Sequence, residues 1–103
     1  MLTLDKIRHA QSVLKEALYE TDIMPTSKLT DRCELFIKAE NLQKTGSFKI
    51  RGAYYKISQL SSEEKARGVI ACSAGNHAQG VALAAQKNGN KALICLPVGA
   101  PIS

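Results

Sequence analysis

No stretch of this 103-residue chain is apolar for anything like the roughly 18 positions that a membrane-crossing helix needs. Nor does the N-terminus carry the continuous apolar segment of a secretory leader; it is amphipathic, and the expected setting is cytoplasmic, with no membrane partner. Cysteine is scarce and odd in number. Cys33, Cys72 and Cys95 are widely spaced, which argues against a disulfide framework, and two of them sit inside apolar runs, where core thiols are expected. His9 and His77 are the only histidines and neither has a partner at ligand spacing, so no metal site is expected. The net charge of +5 and pI near 9.3 invite a nucleic-acid reading. The basic residues form no run and no aromatic-interleaved ribbon, however, and that reading is dropped. Repeats and low-complexity segments are absent. Gly75 and Gly80 have P-loop spacing, yet Val81 and Ala82 follow where a P-loop needs Lys and Ser or Thr.

What is present is a globular composition, 45% hydrophobic and 22% charged, in one domain's worth of chain at most. Residues 3 to 20 read as a first helix, capped by Thr3, with Leu4, Ile7, Ala10, Leu14, Ala17 and Leu18 on one face and His9 off it on a solvated side. Pro25 ends that region, and Met24 to Leu29 read as an extended connector into a strand over Leu35 to Glu40. Ser61 and Glu64 offer a capping box for a short helix closed by Gly68. Val69 to Cys72 is an unbroken apolar run of the kind that forms a parallel strand covered on both faces. A small-residue helix over Ala78 to Asn88 follows, capped by Gly89, and Lys91 to Leu96 make a last strand ended by Pro97.

Two connections then stand out. Asn41 to Gly46 is polar turn material, Ser47 is placed as an N-cap, and a helix runs on through Ala53, Tyr54, Ile57 and Leu60, with Lys49 in its first turn. The helix dipole is positive there and disfavours a cation, and a neutral lysine amine can form a Schiff base or accept a proton. Placement alone favours a reading of Lys49 as a surface charge. Ser73 to His77 directly follow the apolar strand and precede a helix, the position at which open α/β sheets bind anionic groups. Both segments are strand-to-helix connections and are expected to face one crevice.

Residues 38 to 53, Lys-Ala-Glu-Asn-Leu-Gln-Lys-Thr-Gly-Ser-Phe-Lys-Ile-Arg-Gly-Ala, and 71 to 80, Ala-Cys-Ser-Ala-Gly-Asn-His-Ala-Gln-Gly, resemble the threonine/serine dehydratases (threonine ammonia-lyases), in particular their catabolic bacterial type. These are pyridoxal-phosphate enzymes of fold type II. The resemblance runs from Met24 to Pro101 and implies an α/β fold, the N-terminal portion of a tryptophan synthase β-like enzyme with an open, mostly parallel sheet and covering helices. Residues 1–44 would contribute a helix and first strand to the larger domain. Residues 45–103 would begin the smaller domain, and the remaining portion of the enzyme, including the glycine-rich phosphate loop, would lie beyond this chain.

By the same resemblance the cofactor is pyridoxal 5'-phosphate and Lys49 is its Schiff-base lysine, which also removes the Cα proton. Phe48 would pack near the cofactor ring and Asn76 would hydrogen-bond its 3′ oxygen. Ser73, with the backbone of Ala74, Gly75, Asn76 and His77, would bind the substrate carboxylate. The implied reaction is α,β-elimination from L-threonine to 2-oxobutanoate and ammonia, and from L-serine to pyruvate. A related serine racemase is the alternative, set against by Ala74, whose methyl group stands where a racemase has a hydroxyl. Some enzymes of this kind respond to AMP, for which Lys44, Thr45 and Gln79 are the candidate residues, and a homo-oligomer is expected of the full-length enzyme. The 103-residue chain by itself is expected to be catalytically silent.

Overall fold

The computed structural model describes residues 1–100. Pro101, where the family resemblance ends, and the last residues of the 45–103 unit lie outside that range. The elements run α1 (Leu4–Leu14), β1 (Ile23–Thr26), β2 (Leu35–Lys38), α2 (Lys49–Ser58), α3 (Ser62–Arg67), β3 (Val69–Cys72), α4 (Asn76–Lys87) and β4 (Ala92–Cys95). No helix among the described residues is long and apolar enough to cross a membrane.

Helix α1 begins as expected, the Thr3 hydroxyl accepting from the Lys6 N–H, but it stops at Leu14. The amides of Ala17 and Leu18 both donate to the Leu14 carbonyl, and this tight turn folds the two side chains into the core, leaving Leu4 and Ile7 exposed. Ala17 and Leu18 join the cluster of Ile50 and Ala53, with Leu14 packed against it.

The expected connector over Met24 to Leu29 is in part a strand. Ile23–Thr26 pairs antiparallel with Leu35–Lys38, Ile23 opposite Lys38 and Thr26 opposite Leu35. Pro25 is tolerated because a two-stranded ribbon has two edges, and an edge residue owes no ladder bond on its outer side. Strand β2 stops short of the expected Glu40, which enters a 3-10 turn (Glu40–Leu42) with its carboxylate drawn to Arg51.

The second half of the chain holds most of the core. Helices α2 and α4 pack along one another, and Ile50, Ala84 and Ala85 are essentially inaccessible to solvent. Burying Ile50 alone is worth about 2–3 kcal/mol. Helix α3 carries the expected capping box: the Glu64 N–H donates to Ser61 Oγ while the Ser61 N–H donates to Glu64 Oε2. Gly68 ends it at φ +79°, where an added Cβ would lie 2.9 Å from the Lys91 carbonyl oxygen, so only glycine fits. Strands β3 and β4 then pair in parallel, Val69 opposite Ala92 and Cys72 opposite Cys95.

One expectation about this ribbon fails. Ala71 and Ile94 face the core, but Ile70 and Leu93 are 74% and 58% exposed, so the sheet is covered on one face only. Cys72 and Cys95 share the pleat phase of Ile70 and Leu93 and are exposed, as is Cys33, so none of the three is a core thiol.

Candidate functional site

The site is assembled from the segment that delivers the chain into α2. Gln43 is buried and acts as a clasp, its Oε1 accepting from the Tyr19 and Lys44 amides and its Nε2 donating to the Tyr19 carbonyl. Thr45 (φ +68°) and Gly46 (φ +65°) follow, both left-handed. For a β-branched threonine this is an unfavourable conformation, held here by the surrounding structure. Ser47 emerges extended and buried, its Oγ without a partner, and the Thr45 hydroxyl is likewise buried and unpaired. Ser47 is therefore not the N-cap. Phe48 occupies that position with no side-chain cap bond, because the left-handed pair turns the Ser47 hydroxyl inward.

Lys49 is the first residue of α2, as expected. Its side chain is exposed, and its Nζ lies 4.8 Å from the centre of the Phe48 ring, with no hydrogen bond or ion pair among the described residues. The backbone beneath it is anchored twice. Two residues on, Arg51 makes a two-pronged contact with Glu40, Nη2 to Oε1 at 2.7 Å and Nε to Oε2 at 2.8 Å, and Thr21 donates to the same carboxylate at 2.6 Å. The Arg51 hydrogen bonds, helped by Thr21 and opposed by burial, pull the Glu40 carboxyl down to about 2. Hydrogen bonding to Glu40 raises Arg51 in turn, against the effect of burial.

The second anchor is Gly80 on α4, which lies directly against the start of α2. A Cβ at Gly80 would sit 3.0 Å from the Lys49 carbonyl carbon and 3.1 Å from the Ile50 amide nitrogen. Helix α4 begins at Asn76, two residues earlier than expected, with Gly75 in the cap position. Asn76 is thus one turn, about 6 Å along the axis, from the residue that touches Lys49. The two segments that sequence reasoning placed in one crevice are brought together by this helix contact. Ser73 is half-buried and its Oγ accepts from the Gly75 N–H at 3.3 Å. Ala74, Gly75, Asn76 and His77 are exposed, and the amides of Ala74, Asn76 and His77 donate to no acceptor among the described residues. Free N–H groups at a helix N-terminus suit a carboxylate or phosphate.

The remaining candidates, Lys44, Thr45 and Gln79, belong to the 44–46 turn and to α4. Lys44 spends its ammonium on the Ala17 carbonyl, 2.7 Å away, and on the Tyr19 ring. Gln79 is exposed on α4, against which the 44–46 turn packs. A groove of about 490 Å³ between α2, α3, β3 and α4 is lined by Ala53, Ile57, Ala71, His77 and Val81. It does not include Lys49 and is the uncovered side of the core. No group of three or more His, Cys, Asp or Glu capable of holding a metal occurs among the described residues.

This geometry defines an α/β unit in which the backbone of an exposed lysine packs against a helix whose N-terminus offers free amides. The chain belongs to the pyridoxal-phosphate dependent enzyme family, whose model matches residues 14–103. It is 56% identical over 105 residues to the L-threonine ammonia-lyase of Thermotoga maritima, covering 100% of this chain and 26% of that protein. It is 46% identical over 104 residues to the catabolic L-threonine dehydratase TdcB of Escherichia coli K12, covering 99% of this chain and 32% of that one. Among solved structures, maize serine racemase superposes with a TM-score of 0.87 at 41% identity over 95% of this chain and 30% of that one. The processed form of threonine deaminase isoform 2 from Solanum lycopersicum gives 0.77 at 39% identity over 97% of this chain and 31% of that one. The chain thus spans about a quarter to a third of the length of these four proteins, and its fold is the N-terminal portion of fold type II.

The residues present fit the family's pyridoxal phosphate at its aldehyde end. Lys49 supplies a primary amine that, among the described residues, is engaged by the Phe48 ring alone, and the backbone under it is held by the close approach at Gly80. The phosphate end finds no glycine cluster among the described residues.

Sequence reasoning missed two supports of the lysine. Gly80 was visible as a P-loop-like spacing and as the end of the 71–80 motif, neither of which ties it to Lys49, and the Glu40–Arg51 pair spans a turn whose path no local pattern specifies.

Proposed function

We propose that the full-length polypeptide carrying these residues is a pyridoxal-phosphate-dependent ammonia-lyase that converts L-threonine to 2-oxobutanoate and ammonia, and L-serine to pyruvate. The observation that carries the reading is the Lys49 amine, without a hydrogen bond or ion pair among the described residues, on a helix start whose backbone packs against Gly80, one turn from the open N-terminus of α4. Its family membership and its dehydratase relatives support the same assignment.

In this reading Lys49 would hold the cofactor through Nζ, and the same nitrogen would take the Cα proton of the substrate. The bound cofactor supplies an electron sink for the pair left at Cα. The Ser73 hydroxyl and the free amides of Ala74, Asn76 and His77 hold the substrate carboxylate. The Asn76 amide would donate to the cofactor's 3′ oxygen without changing its own charge. Phe48, whose ring already lies beside Nζ, limits the directions in which the amine can point. Arg51 is committed to Glu40 and positions the helix rather than the substrate.

The solved racemases of similar fold raise a second activity, and Ala74 weighs against it. A methyl group on the turn opposite Lys49 carries no proton to return to Cα. Residues 1–44 belong to the larger domain and 45–103 to the smaller one in this proposal, which the separation of the β1–β2 and β3–β4 sheets supports. The proposal also includes a homo-oligomer and an AMP effector bound near Lys44, Thr45 and Gln79. An unchanged substrate affinity with AMP added would remove that effector.

The test is on the full-length protein with pyridoxal phosphate and L-threonine. Lys49→Ala should abolish 2-oxobutanoate formation and the borohydride-reducible cofactor linkage. A variant that kept both would overturn the assignment.

A further inference from the structure

The exposed face of the parallel ribbon carries a pair of sulfurs that the proposed reaction does not use. Cys72 and Cys95 are the last residues of β3 and β4 and are direct partners in the register. Partners in a parallel pair point to the same face. That face is the uncovered one, marked by Ile70 and Leu93, and both thiols are exposed. Neighbouring strands lie about 4.8 Å apart, at the short end of the Cα separations of about 4.4–6.8 Å that a disulfide bridges. The backbone at this point is already tied, since the Ser73 N–H donates to the Cys95 carbonyl at 3.0 Å. Cys33, the remaining thiol, belongs to the loop between β1 and β2, outside the parallel ribbon.

From this placement we infer that Cys72 and Cys95 form an oxidisable dithiol, a covalent modification site at the carboxyl end of the parallel ribbon. The co-reactant is a peroxide. One sulfur attacks a peroxide oxygen, breaking the O–O bond and leaving a sulfenic acid and water. The second thiol then attacks that sulfur, forming the S–S bond and releasing a second water. Two thiols are oxidised by two electrons and one hydrogen peroxide is reduced to two waters. The product cross-links the strand ends one residue before Ser73. Its short inter-strand span places it among the strained, readily reduced disulfides. The site rests on strand register and exposure alone, so it stands or falls separately from the proposed lyase activity.

The experiment uses the reduced 103-residue chain, one equivalent of hydrogen peroxide, alkylation of the remaining thiols and tryptic mapping. The three cysteines fall on different tryptic peptides, 33–38, 68–87 and 92–103. The expected result is a mass loss of two hydrogens, with peptide 68–87 linked to 92–103 and peptide 33–38 recovered alkylated. An unfolded chain would also favour this loop because it is the shortest, but by only about two- to four-fold over the alternatives. The same reaction in 8 M urea therefore sets the baseline, and the native preference for Cys72–Cys95 should exceed it at least about ten-fold.

A second probe needs no oxidation. One equivalent of phenylarsine oxide, which bridges two adjacent thiols, should protect two of the three from a thiol-titrating dye in the wild-type chain. It should protect none in Cys72→Ser or Cys95→Ser. A native linkage ratio equal to that in urea, links to Cys33, disulfide dimers, or over-oxidised Cys72 without a bridge would each overturn the inference.

Discussion

Gly80 and Gly52 lie in the two packed helices, and alanine at each should shift stability in opposite directions. An added methyl at Gly52 meets nothing within 4 Å. Gly52→Ala should therefore show only the helix-propensity gain, about 1 kcal/mol stabilising. The same gain operates at Gly80, but there the methyl meets the Lys49 carbonyl carbon at 3.0 Å, the Ile50 nitrogen at 3.1 Å and the Lys49 Cβ at 3.3 Å. Carbon contacts settle at about 3.5–4.0 Å, and two of these three neighbours are backbone atoms that cannot rotate away. Helix α2 must then retreat by about half an ångström, at the cost of about 1–3 kcal/mol typical of overpacking. The net effect of Gly80→Ala is a loss of about 1 kcal/mol, and the two variants should differ by about 2 kcal/mol. With a urea slope of about 1–3 kcal/mol per molar, their midpoints should bracket the wild type, each displaced by about 0.3–1 M. If Gly80→Ala raised the midpoint as far as Gly52→Ala, the close approach of α4 to the lysine segment would be refuted.

Glu40 provides a pH dependence. Its carboxyl is lowered to about 2, from 4.5, chiefly by the Arg51 hydrogen bonds, so the stability it contributes is complete above about pH 4.5 and is lost as pH falls toward 2. Thermal melts of Glu40→Gln should show a flatter acid limb than wild type, and parallel curves would contradict the pairing. In the full-length enzyme Ala74→Ser should leave elimination detectable and raise the racemisation of serine by placing a hydroxyl opposite Lys49. Chiral analysis that finds no added D-serine from a folded variant would remove Ala74 as the discriminating position. The isolated 103-residue chain, with Lys49 and the turn at Ala74 to His77 open to water, lacks the dry, oriented site on which most of the rate depends. It should form no more 2-oxobutanoate from threonine than its Lys49→Ala control, and a clear excess would mean that it builds a site by another route.

Local chemistry alone determined much of this chain. The Ser61–Glu64 capping box, the left-handed glycines at Gly68 and Gly89, the apolar strand over Val69 to Cys72 and the placement of Lys49 in a first helical turn each follow from residues within a few positions of one another. The motif residues of the candidate site are legible for the same reason, since each group lies within one short segment. Tertiary structure decided what depends on segments far apart in sequence. Ala17 and Leu18 are buried with Ile50 beyond the end of α1, and the pairing of Ile23–Thr26 with Leu35–Lys38 made a strand of a proline-containing connector. The Ser47 hydroxyl was turned inward by Thr45 and Gly46, so the residue that reads as a cap is not one. The exposure of Cys72 and Cys95 follows from which face of the ribbon α4 covers, and an unbroken apolar run has no period from which to read that face. The contact of Gly80 with Lys49 joins two helices 31 positions apart, numbered 49 and 80, and only the packed chain brings them together.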